Sequence, residues 1–468
     1  MKVMKPIWKP RSSTKMSSTF TDHQLDIVET GMKSEGIPGV AIAIVTGGEI
    51  VAAEGFGYRD LNQRLPMTPQ TVTPICSLTK SMTGTAILQL VEQGRLSLDE
   101  PIQTYLPDLV ISDLQTTRKI TPRVLLSHKS GMGRTGHQPP MWRETVSPYR
   151  DRADLVSRLA NIELQTPPNT AWSYCNEGFV TLGRLVETVS DIPLEEYFET
   201  RIFQPVGMDD TLTNFDGWRA SADRAHLYER GDDDPAEAFL PANYGIYLST
   251  GGVSSTALNL ANYQIASMNY SDSPLLGAGS LEQMQSISMP FGDTGMGYGM
   301  GWQIRWVGSR KVVSHGGGLA GVATHSLMVP SAGIGVVVLT NLGGANVSLL
   351  AEQLAATVLD EQIFVSDPRN APPINTRYVV PEGSLSLYPG VYKSDEATIE
   401  ITGNDRGISV LRSVPEGGAE EANLIGIGDN LFMADEGVRS RGTLVYFVRN
   451  SDGYVTSLLT GGNQHWRS

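Results

Sequence analysis

The stretch Ser77-Leu78-Thr79-Lys80, continued by Ser81-Met82 and the apolar positions Ala86, Leu88, Leu90 and Val91, decides how this chain is read. Its apolar spacing predicts a helix from Ser77 to Gln93, closed by Gly94, with Pro74 left outside the start. Serine and lysine three positions apart share one face of such a helix. A serine hydroxyl is a weak nucleophile until a base takes its proton. A desolvated lysine can be that base, because burial lowers its pKa. A helix N-terminus adds a positive field that favours a developing anion. The spacing alone is not diagnostic: Ser12 and Lys15 repeat it in a polar arm with no apolar periodicity.

Two further motifs follow in chain order. Tyr174-Cys175-Asn176 is the only Tyr-x-Asn of the chain. A phenol titrates near pH 10, and a neighbouring ammonium favours its anion, so Tyr174 can pass a proton from the attacking hydroxyl to a leaving group. Asn176 is expected to donate to a substrate carbonyl and to accept from Lys80. His315-Gly316-Gly317 is the only His-x-Gly. Lys311–Ser314 before it and Val322–Val329 after it read as strands, and glycines on an edge strand let a substrate backbone come close. The N–H groups of Ser77 and Gly318 can then form an oxyanion hole, with Gly317 beside them. The run Gly316 to Gly321 also spells G-x-G-x-x-G, but that fingerprint must open a helix and here β-rich sequence follows.

The ordered set resembles the serine hydrolases related to β-lactamases and penicillin-binding proteins, a family that includes DD-peptidases, D-aminopeptidases and β-lactamase-like esterases. The resemblance spans roughly residues 20–365. It extends to Gly39-Val40-Ala41-Ile42-Ala43, Gly55-Phe56-Gly57-Tyr58, the stretch Leu90–Leu106, Leu125 to Gly131 and Tyr298-Gly299-Met300-Gly301-Trp302. It implies an α/β catalytic domain with an antiparallel sheet flanked by helices. By the same resemblance Ser77 is the acylated nucleophile, Lys80 and Tyr174 are the proton-handling pair, and His315–Gly318 is the strand motif. Members that destroy β-lactams usually carry Lys where this chain has His315, and a His is mostly neutral at pH 7. That departure points toward peptidase or esterase relatives. Cys76 and Cys175 stand where small residues are commoner and read as packing, the alternative being a disulfide between them.

The remaining sequence bounds the context. The 468 residues carry a formal charge of −14, which argues against a phosphate-binding surface and hence against nucleic acid. Two cysteines cannot build a disulfide framework. No His-x-x-x-His pair with Glu occurs, so neither a catalytic metal nor any other cofactor is expected. Residues 1–19 read as a flexible basic arm lacking a signal peptide's apolar run, and no segment is long enough to span a bilayer. The expectation is therefore a cytoplasmic enzyme acting on a small molecule or short peptide, with homo-oligomerisation left open.

Early strands (Val40–Thr46, Glu49–Tyr58) and late strands (Ile304–Val307, Lys311–Ser314, Val322–Val329, Gly335–Thr340) bracket a helical middle, which fits a sheet covered on both faces. Pro368, Pro372 and Pro373 mark a linker at 366–376. Beyond it, over 377–468, eight short strands separated by turns predict a small closed barrel. Leu387-Tyr388-Pro389-Gly390-Val391-Tyr392 resembles the entry to the lipocalin-like domain of some peptidases of the family. Few contacts are expected to cross the linker, and the barrel's expected role is access or assembly.

Overall fold

The computed structural model describes residues 20–133, 149–231, 235–238, 244–269, 271–292, 294–359, 376–381, 383–395, 397–404, 407–414, 418–435, 443–460 and 463–468. The N-terminal arm with Ser12 and Lys15, and all of the expected linker except Thr376, lie outside them.

Among the described residues one sheet has nine strands and is antiparallel throughout. Its order is Leu65–Pro66, Glu49–Asp60, Gly39–Thr46, Ile334–Thr340, Val322–Val329, Arg310–Leu319, Gln303–Val307, Met296–Tyr298 and Met289–Pro290. The first and last parts of the domain therefore meet in mid-sheet, where Val40 pairs with Thr340 and Thr46 with Ile334. Period-two alternation sorts the side chains. Val40, Ile42 and Ile44 enter a core under the helices Asp22–Glu35 and Val347–Leu359. Ala41, Ala43 and Val45 enter a larger core shared with the helical middle, including Thr79–Glu92, Asn176–Ser190 and Ala257–Met268. This is the expected fold, with helices on both faces of an antiparallel sheet.

The second unit is a closed antiparallel barrel of eight strands from Gly390–Lys393 to Asn463–Arg467. Its interior is filled by side chains, with Tyr388, Phe432 and Phe447 in mutual ring contact at 4.6–5.6 Å. Contrary to expectation, the barrel is not held at arm's length. Ile427, Met433 and Leu444 form one hydrophobic cluster with Phe291 and Tyr298 of the catalytic domain. At Gly292 (φ 58°) a Cβ would lie 2.1 Å from the Ile427 carbonyl oxygen, so only glycine allows the two backbones to meet there. The contact arises because the edge of the large sheet presents apolar side chains that the barrel covers.

Candidate active site

Ser77 does not sit inside the helix its spacing predicts. Cys76–Leu78 form a 3₁₀ turn, and the α-helix begins at Thr79. Cys76 has φ 51°, a left-handed conformation that costs a non-glycine residue energy, and it lifts the next residue out of helical register. Ser77 is partly exposed while its helix neighbours are buried. Lys80, one turn on, is fully buried. Its Nζ donates to Ser77 Oγ at 3.1 Å and to the Thr250 carbonyl at 2.9 Å, and it lies 4.7 Å from the centroid of the Tyr174 ring.

Tyr174 comes from the extended segment before the helix Asn176–Ser190, and its OH donates to Ser77 Oγ at 2.8 Å. His128, itself at φ 56°, holds that segment at two points. Its carbonyl accepts from Ser173 N–H at 2.9 Å, and its Nδ1 accepts from Cys175 N–H at 3.1 Å. The His128 ring packs 4.3 Å from that of Tyr174. Cys175 is the helix N-cap, its sulfur accepting from Gly178 N–H at 3.3 Å in the role a serine oxygen usually fills. Both cysteines are free and buried, so no disulfide joins them. Burial pushes the Cys76 thiol up to about 12 and the Cys175 thiol well above its ordinary value, so neither competes as a nucleophile.

Asn176 lacks one of its expected partners. Its Oδ1 is buried and accepts no hydrogen bond among the described residues, so the expected bond from Lys80 is absent. The reason is that the Lys80 ammonium end turns toward Ser77 and Thr250.

The opposite wall is the strand Arg310–Leu319, which runs on through the glycines where the sequence reading ended it at Ser314. Its pairing with Gln303–Val307 stops at Ser314, whereas pairing with Val322–Val329 continues to Leu319. Residues 315–319 thus keep one ladder edge outside that pairing, on a strand that adjoins the Ser77 turn. At Gly317 a Cβ would lie 2.4 Å from the Ile75 carbonyl and 3.1 Å from Cys76 Cβ, so this glycine is what lets the strand approach the turn. A Cβ at Gly318 would meet no atom closer than 4.0 Å. The G-x-G-x-x-G run lies on this strand and its hairpin and opens no helix.

His315 is 2% exposed. Its Nδ1 lies 2.6 Å from the Gly316 carbonyl and its Nε2 lies 2.9 Å from Tyr298 OH. A carbonyl only accepts, which puts the proton on Nδ1 and makes Nε2 the acceptor of the Tyr298 hydroxyl. Burial, and then the Lys80 charge, push the His315 pKa down to about 3. Burial holds the Tyr298 phenol well above its ordinary value.

Ser77, Lys80, Tyr174 and the His315 strand therefore come together at one site, called the cleft below. His128, Tyr298 and the Thr250 carbonyl are members that sequence reasoning did not assign. Tyr298 stood inside a quoted motif, but only the fold pairs it with His315. A backbone carbonyl such as that of Thr250 carries no sequence signal. Among the described residues no group of three or more His, Cys, Asp or Glu could hold a metal. No described helix is long and apolar enough to cross a membrane.

The chain is similar to several known proteins. Penicillin-binding protein 4 of Amycolatopsis lactamdurans is 28% identical over 355 residues, covering 73% of this chain and 90% of that protein. A D-aminopeptidase of Cereibacter sphaeroides is 28% identical over 391 residues, covering 81% and 71%. The octameric penicillin-binding protein homologue from Pyrococcus abyssi superposes with a TM-score of 0.68 at 24% identity, covering 94% of this chain and 98% of that one, which shows a shared fold. The family model described as Beta-lactamase matches residues 26–359, most of the chain and every residue of the cleft described above, and the chain belongs to that family of serine hydrolases.

Proposed function

We propose that this protein is a serine hydrolase working through an acyl-enzyme on small peptides or amides, including those with a D-residue. The observation that carries the reading is the convergence of Tyr174 OH and Lys80 Nζ on one oxygen, Ser77 Oγ, at 2.8 and 3.1 Å. In this reading Ser77 Oγ attacks the substrate carbonyl, and its proton leaves through Tyr174 and Lys80. The same pair returns a proton to the departing amine, and water then releases the acyl group by the reverse route. The N–H groups of Ser77 and Gly318 stabilise the oxyanion, and Asn176 orients the substrate amide. The part of the His315 strand outside the Gln303–Val307 ladder takes the substrate backbone as an added strand.

The peptide or amide assignment is supported by the D-aminopeptidase relative and by His315, which supplies no fixed cation for a β-lactam's carboxylate. An ester substrate is the alternative within the same chemistry. An assembly of several copies is consistent with the octameric neighbour. A non-turnover acyl-binding sensor would form the adduct but not release it. The experiment is intact-mass detection of a fluorophosphonate adduct, followed by turnover of p-nitroanilides and p-nitrophenyl esters in both stereoseries. One adduct at Ser77 with amide turnover is expected. No adduct, or an adduct elsewhere, overturns the reading, and ester turnover alone selects the alternative.

A further inference from the structure

A cavity of about 280 Å³ lies between the catalytic domain and the barrel. The catalytic domain contributes Trp172 and Phe291 to its lining, and the barrel contributes Asp429, Leu431, Tyr446 and Leu459. Trp172 is two residues before Tyr174 in one extended segment. Its ring lies 6.1 Å from that of Tyr174 and 5.3 Å from that of Phe291. The residue that walls the cavity therefore also packs on the phenol that touches Ser77 Oγ. The barrel side is held in place by the cluster of Ile427, Met433 and Leu444 against Phe291 and Tyr298. Trp172 thus joins the wall of this cavity to the Tyr174 segment, and about half of the lining belongs to a domain carrying none of the residues around Ser77.

Its chemistry limits what can enter. The lining is mostly aliphatic and aromatic, and no Lys, Arg or His contributes to it among the described residues. Its one carboxylate, Asp429, accepts a hydrogen bond from Tyr378 OH at 2.7 Å. An anionic group entering here would meet that carboxylate with no cation in the lining itself, the nearby positive charge being the Arg449 guanidinium that acts on Tyr446 and Tyr378. The volume sits at the lower edge of small-ligand pockets, roughly 300 Å³ and upward, which suits one side chain and not a folded peptide.

We propose that this cavity is the subsite for a single uncharged apolar side chain of the substrate, so that the barrel sets substrate preference. The proposal rests on the acyl-enzyme reading above. It replaces the expectation of a barrel that only restricts access or builds an assembly, because barrel side chains would touch the substrate.

The test uses the full chain and two barrel substitutions, Leu431→Trp to fill the cavity and Tyr446→Ala to enlarge it. Both positions are only partly buried, and neither belongs to the hydrogen-bonded cleft. One substrate series varies the acyl side, with alanyl, leucyl and phenylalanyl p-nitroanilides in both stereoseries. A second varies the leaving side, with alanyl dipeptide amides ending in Ala, Leu or Phe followed by chromatography. The native chain is expected to favour Leu and Phe over Ala by about tenfold or more in one series, in kcat/KM. Leu431→Trp should bring that ratio near one, and Tyr446→Ala should shift the preference toward Phe. The series that responds tells which side of the scissile bond enters the cavity.

Fluorophosphonate labelling of each protein separates the two readings. If native protein does not label, the acyl-enzyme reading fails and takes the subsite with it. If labelling is intact in all three proteins while ratios stay the same in both series, the subsite alone is overturned. A native chain that labels but shows no apolar preference in either series overturns it as well. If one substituted protein loses labelling through misfolding, the other still decides.

Discussion

The two walls of the cleft differ in where their hydrogen bonds go. On the helical wall, Lys80 Nζ and Tyr174 OH both point at Ser77 Oγ. On the strand wall, both nitrogens of His315 are spent within the wall, one on the Gly316 carbonyl and one on Tyr298. The first arrangement can move a proton to or from the reacting oxygen. The second fixes a ring, its tautomer and through them the carbonyl of a strand. The difference supports the proposed reading, in which proton traffic belongs to one wall and alignment to the other, although both walls carry residue types capable of acid–base chemistry.

The largest effect tests the shared oxygen. Ser77→Ala should lower turnover by about 10⁴-fold or more and abolish the fluorophosphonate adduct in intact-mass spectra. An adduct that persists on the substituted protein would move the nucleophile elsewhere. Next come the groups that point at it. Lys80→Ala and Tyr174→Phe should each slow single-turnover acylation by roughly 10²–10⁴-fold, the range of a lost acid–base group, with far-ultraviolet circular dichroism unchanged. Normal acylation in both would break the comparison at its strongest side.

The same division explains what the sequence disclosed. The Ser77 and Lys80 pairing is local, three residues on one chain segment, so spacing reveals it once the apolar periodicity that follows sets it apart from Ser12 and Lys15. Six of the nine sheet strands were legible because alternation such as Val40, Ile42, Ile44 against Ala41, Ala43, Val45 is a period-two pattern with two different cores behind it, whereas Leu65–Pro66, Met289–Pro290 and Met296–Tyr298 are too short to show a period. All eight barrel strands were legible from turns and β-rich runs. What was hidden is relational. Cys76 at φ 51° replaces the first helical turn by a 3₁₀ turn, a conformation its residue type does not announce. The Tyr298–His315 bond and the packing of Ile427 on Phe291 join segments through the fold, and the Thr250 carbonyl looks like any other. Asn176 was read as a partner of Lys80 because residue type permits that bond, but geometry spends the lysine elsewhere.

A smaller effect sharpens the strand wall. His315→Gln and Tyr298→Phe should each lower kcat/KM by about ten- to a hundredfold, less than loss of either proton-handling residue, because they displace a strand and leave the reacting groups in place. The discriminating measurement is the pH profile. With the His315 pKa near 3, its titration lies below the working range, so the acid limb of kcat/KM should fall at the same pH in native protein and in His315→Gln. A limb that disappears with the substitution would make His315 a titrating base and merge the two walls into one.

The smallest effect concerns stability. His315 and His325 are both buried, and burial pushes each folded-state pKa to about 3, against about 6.5 in an unfolded chain. Above the unfolded value both rings are neutral in either state, and the depressed pKa costs nothing. As pH falls through 6.5, the unfolded chain binds protons that the folded protein refuses, so unfolding becomes easier. Each ring then contributes a slope of up to about 1.4 kcal/mol per pH unit, continuing down toward pH 3. Asp99, whose carboxyl the Arg123 side chain holds below its usual range, acts only at lower pH, so the interval from 6.5 to about 4.5 isolates the histidines. His325 lies outside the Ser77 cleft, across the ladder from Gly316. His325→Gln should therefore flatten the loss of urea midpoint between pH 7 and 5 by about one proton's worth while leaving fluorophosphonate labelling within about twofold of native. An unchanged slope would mean that the strand wall admits a proton at this position when folded, and the picture of that wall as holding its rings neutral would have to be abandoned.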